Sequence, residues 1–335
     1  MRVLVTGARG FIGSTFIRGY ARQVMKGIPH NITRITAFAR DTNSWTRGRL
    51  ENDENVQKCI KEGIIKISYG DLNGDISGLC EGIDATLHFA AKTYVDHSIK
   101  DPKPFVETNV IGTLNLLEEA RKQNVKQFIH VSTDEVYGQI LQGAYSEDAP
   151  LNPRNPYAAS KAGADALTQS YFHTFGMWTA VTRTENNYGI MQHPQKAIPV
   201  FIAKALSHDD IPVYGDGKHV RQWLHVDDHV NALMMLLEAD KNSKNSLPGG
   251  EIWHIAGNQE LSNTELATKI CDILHRDKNL IKYIDDMNIR PGHDRRYALK
   301  CDKMDELVGW QPRIMLNDGL EDMIKWYVSN SEWLR

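Results

Sequence analysis

Val3-Leu4-Val5-Thr6-Gly7-Ala8-Arg9-Gly10-Phe11-Ile12-Gly13 decides the fold. Three apolar residues in succession are what a strand covered on both faces requires. They run into the spacing GxxGxxG at Gly7, Gly10 and Gly13, and then into an amphipathic helical stretch. Glycines at such a junction permit a tight turn, close approach of backbone to a pyrophosphate and close helix–strand packing, while the helix N-terminus offers N–H groups to an anion. A glycine turn before a helix can also be purely structural. Here strand, turn and helix agree, and together they predict a dinucleotide site.

The same rhythm continues downstream. Short β-rich runs alternate with helical ones at Arg2 to Thr6, Phe11 to Val24, Ile32 to Ala39, Ile64 to Tyr69, Ala85 to Phe89, Phe105 to Gln123, Phe128 to Ser132, Tyr157 to Phe175 and Thr179 to Thr184. This predicts an α/β, Rossmann-like, doubly wound parallel sheet. After about Glu185 the pattern loosens around Gly189, Pro194, Pro199, Pro212, Gly215 and Gly217, with later helices at Asp227 to Glu238, Asn263 to His275 and Asn317 to Ser329. A smaller, mixed C-terminal substrate-binding lobe is expected. Glu251 to Ala256 reads as a strand returning to the main sheet, and Asn242 to Gly250 as an exposed loop. The expected division is 1–185, with about 219–256 returning to it, as the cofactor-binding domain, and 186–218 with 257–335 as the lobe.

The chain has 335 residues, 41% apolar and 24% charged, with 39 Lys+Arg against 42 Asp+Glu and a formal charge of -3. That is ordinary globular composition for about two domains, and it argues against sequence-independent binding to nucleic acid. No apolar run approaches the ~18 residues needed to cross a bilayer, and the first residues lack the features of a signal peptide. A soluble, cytoplasmic protein with no membrane partner is expected. Cys59, Cys80, Cys271 and Cys301 form no CxxC pair, and His-x-x-His and His-Glu-x-x-His spacings are absent, so neither a disulfide framework nor a protein-bound metal is predicted.

Three further stretches carry chemistry. The second strand ends Phe38-Ala39-Arg40-Asp41. An acid there selects NAD by binding the ribose 2′-hydroxyl, whereas a nearby arginine suits the 2′-phosphate of NADP. If Ala39 holds the acid's position, Arg9 and Arg40 face the 2′-substituent; if Asp41 holds it, NAD is preferred. Both arginines can also be solvated surface charges, and the expectation leans slightly to NADP. In Tyr157-Ala158-Ala159-Ser160-Lys161 the i, i+4 spacing puts Tyr157 and Lys161 on one helix face, where an ammonium favours a phenolate able to take a hydroxyl proton. Alone, this string is as compatible with an amphipathic helix surface. Ser132-Thr133-Asp134-Glu135-Val136-Tyr137-Gly138 ends a buried strand, and open α/β sheets bind ligands at the carboxyl ends of their strands. Adjacent carboxylates in a partly dry site cannot both ionise freely, so one can serve as acid and the other as base. The alternative is a loop of solvated acids.

Together these motifs resemble the extended short-chain dehydrogenase/reductase superfamily. With Thr108-Asn109-Val110-Ile111-Gly112-Thr113, Asn186-Asn187-Tyr188-Gly189, Gly215 to Trp223 and Arg290 to Tyr297, they resemble its dTDP-glucose 4,6-dehydratase family. The resemblance implies that Tyr157 takes the proton of the glucose 4-hydroxyl, that Lys161 tunes it and holds the nicotinamide ribose, and that Thr133 bonds the C4 oxygen. Glu135 would then remove the C5 proton and Asp134 protonate the departing 6-hydroxyl, with NAD(P) tightly bound and recycled. It further implies cofactor contacts at Gly7, Arg9, Gly10, Phe11, Ile12, Gly13, Arg40, Asp71, Leu72, Ala90 and Ala91. Contacts to the nucleotide-sugar substrate would come from Thr93, Asn187, Lys196, Arg221, Arg290 and His293, and a homodimer would form through helices carrying Val110, Leu114, Leu117, Ala166, Leu167 and Tyr171. The chain departs from the family at Ala39 to Trp45, Lys92-Thr93-Tyr94 and Gln195-Lys196, where ribose, sugar or base is recognised. A sugar-nucleotide 4-epimerase and a non-catalytic cofactor-binding sensor are the competing readings.

Overall fold

A computed structural model describes residues 1–41, 46, 48–239, 247–285, 290–291 and 293–334. Its strands are β1 (Arg2–Thr6), β2 (Arg34–Ala39), β3 (Ile65–Tyr69), β4 (Ala85–His88), β5 (Gln127–Thr133), β6 (Thr179–Thr184), β7 (Asn186–Tyr188), β8 (Ile211–Tyr214), β9 (Val220–His225), β10 (Glu251–Ile255), β11 (Gln259–Ser262) and β12 (Ile281–Ile284). Seven of them form one parallel sheet in the order β10-β6-β5-β4-β1-β2-β3. The strand order reverses between β1 and β4, the crevice where doubly wound sheets bind ligands. Sequence alone gives the bounds of β1 and β6 and the return of β10 to the sheet edge.

The helices are α1 (Phe11–Met25), α2 (Gly48–Glu51), α3 (Glu54–Lys61), α4 (Val95–Lys100), α5 (Lys103–Val106), α6 (Gly112–Lys122), α7 (Pro156–Phe175), α8 (Ala197–Leu206), α9 (Val226–Glu238), α10 (Asn263–Ile273), α11 (Asp302–Val308) and α12 (Leu316–Ser329). Both sheet faces are covered, because the side chains of a strand alternate. Val3 and Val5 enter a core shared with Phe16 and Ile17 of α1 and Leu233 and Leu237 of α9, while Leu4 points to Leu116 and Leu117 of α6 and Phe128 of β5. The helix expected over Phe105 to Gln123 is broken by a wider π turn, Glu107–Ile111, between α5 and α6. Leu117 and Tyr171 lie in this chain's own core and so leave the expected dimer surface, whereas Val110, Leu114, Ala166 and Leu167 stay at least partly exposed, as do Val106, Ile111 and Phe175.

The lobe is built from a three-stranded sheet, β11-β9-β7, and the pair β12-β8. Its core draws Tyr188, Ile198 and Phe201 from one stretch, Leu266 and Ile270 from a second, and Leu316, Leu320 and Ile324 from a third. The Tyr327 hydroxyl of α12 donates to the Gln192 carbonyl (3.0 Å) across the lobe. Two boundaries differ from expectation. Val220–His225 pairs with β7 and β11, so the return to the main body begins at α9. Met304 and Trp310 pack into the main core, so a piece of 257–335 belongs with the body. Of the expected loop Asn242 to Gly250, residues 242–246 lie outside the described residues, and Leu247 is buried. No described helix is long and apolar enough to cross a membrane.

Candidate active site

β5 delivers the carboxylate pair. Beyond Thr133 the chain turns into a 3₁₀ helix, Asp134–Tyr137, whose start is capped by the Thr133 hydroxyl accepting from the Glu135 N–H (3.3 Å). Thr133 Oγ1 also donates to Asp134 Oδ1 (3.1 Å). Asp134 is only 3% exposed, whereas Glu135 is half-buried. Burial first, and the charge of Glu135 second, push the Asp134 carboxyl up to about 7, against the opposing hydrogen bond of Thr133 and the charge of Arg221. A carboxyl held protonated near neutrality is an acid; its less buried neighbour is free to be the base. Glu185, at the step from β6 to β7, is a third carboxyl here, buried, bonded to the N–H groups of Gly257 and Leu299 (both 3.1 Å) and also raised, chiefly by burial and next by Asp134.

The raised Asp134 has a stability consequence. Its unfolded value is 3.8 and its folded value about 7, so between these the native state holds the proton more often and stability falls as pH rises. Asp134→Asn removes the ionisation. We expect the variant to melt above the wild type at pH 8, by up to ~2–4 kcal/mol, and the two to converge by pH 4. Parallel melting curves at both pH values would show the carboxyl to be unperturbed.

Tyr157 and Lys161 lie on α7, which starts one residue earlier than expected, at Pro156. Asn155 caps it, Oδ1 accepting from the Ala158 N–H (2.8 Å), while Asn155 Nδ2 donates to Glu135 Oε2 (3.1 Å). Asn155 thus ties the helix carrying the tyrosine to the candidate base. An Asn-Pro pair at a helix start was the available sequence signal for it. The Thr133 hydroxyl is close enough to the Tyr157 phenol to favour its ionised form. Lys161, by contrast, turns beneath β5, donating to the Val131 carbonyl (2.8 Å) and to His130 Nε2 (3.1 Å). The expected lowering of the phenol by the ammonium is therefore absent: burial, then the Glu135 charge, push Tyr157 well up. Burial also brings Lys161 down to about 8. Two connections were not legible in sequence. Ser98 of α4 accepts from the Tyr157 N–H (3.2 Å), and Asn109 in the π turn bonds Ser160 Oγ (2.9 Å) and both backbone groups of Lys92.

On the cofactor side, Gly7 sits at φ +65 and a Cβ there would meet Ala90 N at 2.7 Å; at Gly13 it would meet the Gly7 carbonyl at 2.6 Å. Gly10 caps α1 with no side-chain hydrogen bond, leaving its first-turn N–H groups for an anion, which fits a dinucleotide. Ala90 and Ala91 lie half-buried just past β4, the Ala90 N–H donating to Thr6 Oγ1 (3.3 Å). Leu72 is buried, Asp71 is exposed and accepts from the Asn73 N–H (3.0 Å), and Arg40 is exposed. Arg9 is buried and hydrogen-bonds Glu51 and Tyr69.

Facing these, the lobe contributes cations. Lys196 lies 4.7 Å over the Tyr94 ring and donates to the Thr93 carbonyl (3.4 Å), so Thr93 offers its backbone to Lys196 while its side chain is exposed. Glu135, Arg290 and Asp96 are within electrostatic reach of Lys196, whose ammonium is lowered first by burial. Arg290 bonds Asp96 and Arg221 stacks 4.4 Å over Tyr297, its Nη2 3.1 Å from His293 Nε2. Asn187 spends its amide internally, on Thr184, the Glu185 carbonyl and His229. Gly292 of the same expected motif lies outside the described residues.

Residues 4–323 match the family model described as GDP-mannose 4,6 dehydratase. The chain is 39% identical over 335 residues to a dTDP-glucose 4,6-dehydratase of Actinoplanes sp., covering 99% of both. A dTDP-glucose 4,6-dehydratase of Streptomyces venezuelae, solved with NAD bound, is 38% identical with TM-score 0.88, over 99% of this chain and 98% of that one. A UDP-glucuronic acid 4-epimerase of Bacillus cereus, also solved with NAD, aligns at 27% identity and TM-score 0.86, over 98% and 100%. The fold alone therefore does not separate dehydration from epimerisation.

Proposed function

The chain belongs to the GDP-mannose 4,6 dehydratase family, and from that membership we infer that it is an NAD(P)-dependent NDP-glucose 4,6-dehydratase, a hydro-lyase, with dTDP-glucose its leading substrate. The observation that carries this is the buried Asp134, its carboxyl pushed up to about 7, beside the less buried Glu135. Epimerisation at C4 needs a tyrosine and a threonine; only elimination needs a second acid and base. Bound NAD(P) would supply the hydride acceptor for C4 and the hydride donor for C6. Tyr157 takes the 4-hydroxyl proton while Thr133 bonds the same oxygen. The resulting 4-keto group acidifies C5-H, which Glu135 removes as Asp134 gives its proton to the 6-hydroxyl; water departs, and Glu135 returns its proton to C5 as C6 takes up hydride. Lys196, Arg221, Arg290 and His293 suit the nucleotide diphosphate, for which guanidinium forks are well shaped.

The slight lean to NADP rested on Arg9 and Arg40. Arg9 is bonded to Glu51, with Asp41 at 3.8 Å, and this speaks for NAD. We assign residues 1–185, 226–256 and about 302–310 to the cofactor body and the remainder to the lobe. The apolar surface of α6, α7 and the π turn supports a homodimer. The activity is tested with dTDP-, UDP-, CDP- and GDP-hexoses: at least one is expected to give a product lighter by one water. An isomer of unchanged mass would establish the epimerase instead, and tight cofactor binding without turnover the sensor.

A further inference from the structure

In doubly wound folds the residue that reads the adenosine ribose usually ends the second strand. Here β2 ends on buried Ala39, followed by exposed Arg40 and by Asp41, whose side chain is 59% exposed. The Gly loop is stitched to this corner by the Ala8 N–H donating to the Phe38 carbonyl (3.2 Å). Arg9, 7% exposed at its side chain, therefore lies at the carboxyl ends of β1, β2 and β3. Its Nη2 donates to Glu51 Oε1 and to the Tyr69 hydroxyl (2.7 Å), and its guanidinium packs 4.7 Å over the Tyr69 ring. Glu51 comes from α2, a short helix that the strand pattern gives no reason to suspect.

Three atoms of this clasp are buried and have no hydrogen-bond partner among the described residues: Arg9 Nε, Arg9 Nη1 and Glu51 Oε2. Donors without a hydrogen bond beside such an acceptor are costly unless a ligand completes them, and the Asp41 carboxylate, 3.8 Å from Nη1, offsets this for Nη1 by charge alone. A secondary hydroxyl completes both sides, donating to a carboxylate that can only accept and accepting from a guanidinium that can only donate. A phosphate monoester cannot. Its ionised oxygens bring no donor, and about two negative charges would meet Glu51 and Asp41. We propose that Glu51, working through and beside Arg9, reads the 2′-hydroxyl of the cofactor's adenosine ribose and makes this chain prefer NAD over NADP. The proposal rests on the dinucleotide reading given above and adds to it the residue that sets the choice.

The test is calorimetric binding of NAD, NADP and 2′-deoxy-NAD to the full chain stripped of bound cofactor. The wild type is expected to bind NAD ~100-fold more tightly than NADP and ~10-fold more tightly than 2′-deoxy-NAD, the scale of one or two lost hydrogen bonds to a charged group. Glu51→Gln is expected to bring all three within about fivefold, and Asp41→Asn to keep the wild-type order. Glu51 is 31% exposed at its side chain, so the isosteric change is expected to fold, and an unchanged melting temperature checks this. An unchanged NAD:NADP ratio in Glu51→Gln, or a wild type that prefers NADP, overturns the proposal while the dinucleotide site stands. Equalisation by Asp41→Asn instead transfers the role to Asp41 and also overturns it. A wild type that binds none of the three overturns the dinucleotide reading as well.

Discussion

Glu135→Gln is expected to oxidise its substrate at C4 and then stall, with turnover reduced by ~10²–10⁴-fold. The first half of the reaction uses Tyr157 and Thr133, which stay in place, loss of the Glu135 charge only easing deprotonation of the phenol, and the amide keeps an oxygen able to accept from Asn155 Nδ2. The second half requires a base at C5, and an amide is not one. In a single turnover the absorbance of bound reduced nicotinamide should therefore rise and persist, where in the wild type it rises and decays. In heavy water the C5 hydrogen should exchange slowly. Dehydration by Glu135→Gln at the wild-type rate would remove Glu135 from the role of base.

Tyr157→Phe is expected to fail one step earlier. The ring packs edge-on to Phe105, with centroids 6.5 Å apart, and a phenylalanine preserves that contact. The variant loses only the phenol oxygen. Without it no group takes the 4-hydroxyl proton, and reduction of the bound nicotinamide should fall by ~10²–10⁴-fold while cofactor binding is unchanged. Normal reduction by Tyr157→Phe would place the base elsewhere.

What could be read in the sequence was what lies close along the chain. The Gly7 turn, the strand at Arg2–Thr6, the Asp134-Glu135 pair and the i, i+4 spacing of Tyr157 and Lys161 are local, and their positions in the fold follow from them. The partners that give these residues their chemistry are not local. Asn155 reaches Glu135 across 20 residues, Glu51 reaches Arg9 across 42 and Arg290 reaches Asp96 across 194. The direction taken by Lys161 is not legible for the same reason, since His130 and the Val131 carbonyl compete for its ammonium from another element. The sheet that β9 joins is not legible either, because Trp223 faces the lobe core and Leu224 the main core, so its pattern serves both bodies.

A lobe core gathered from three distant stretches also orders events during synthesis. The strand end bearing Thr133 and the whole of β1–β6 are complete at Thr184, whereas α12 begins at Leu316. At ~5–20 residues per second, roughly ten seconds separate the two on the ribosome. Throughout that interval Tyr188, Ile198 and Phe201 lack the Leu320 and Ile324 side chains that cover them in the finished protein. The nascent enzyme thus carries a nearly complete cofactor half before a closed substrate half, and its interval of greatest exposure to aggregation and to chaperones falls between the two.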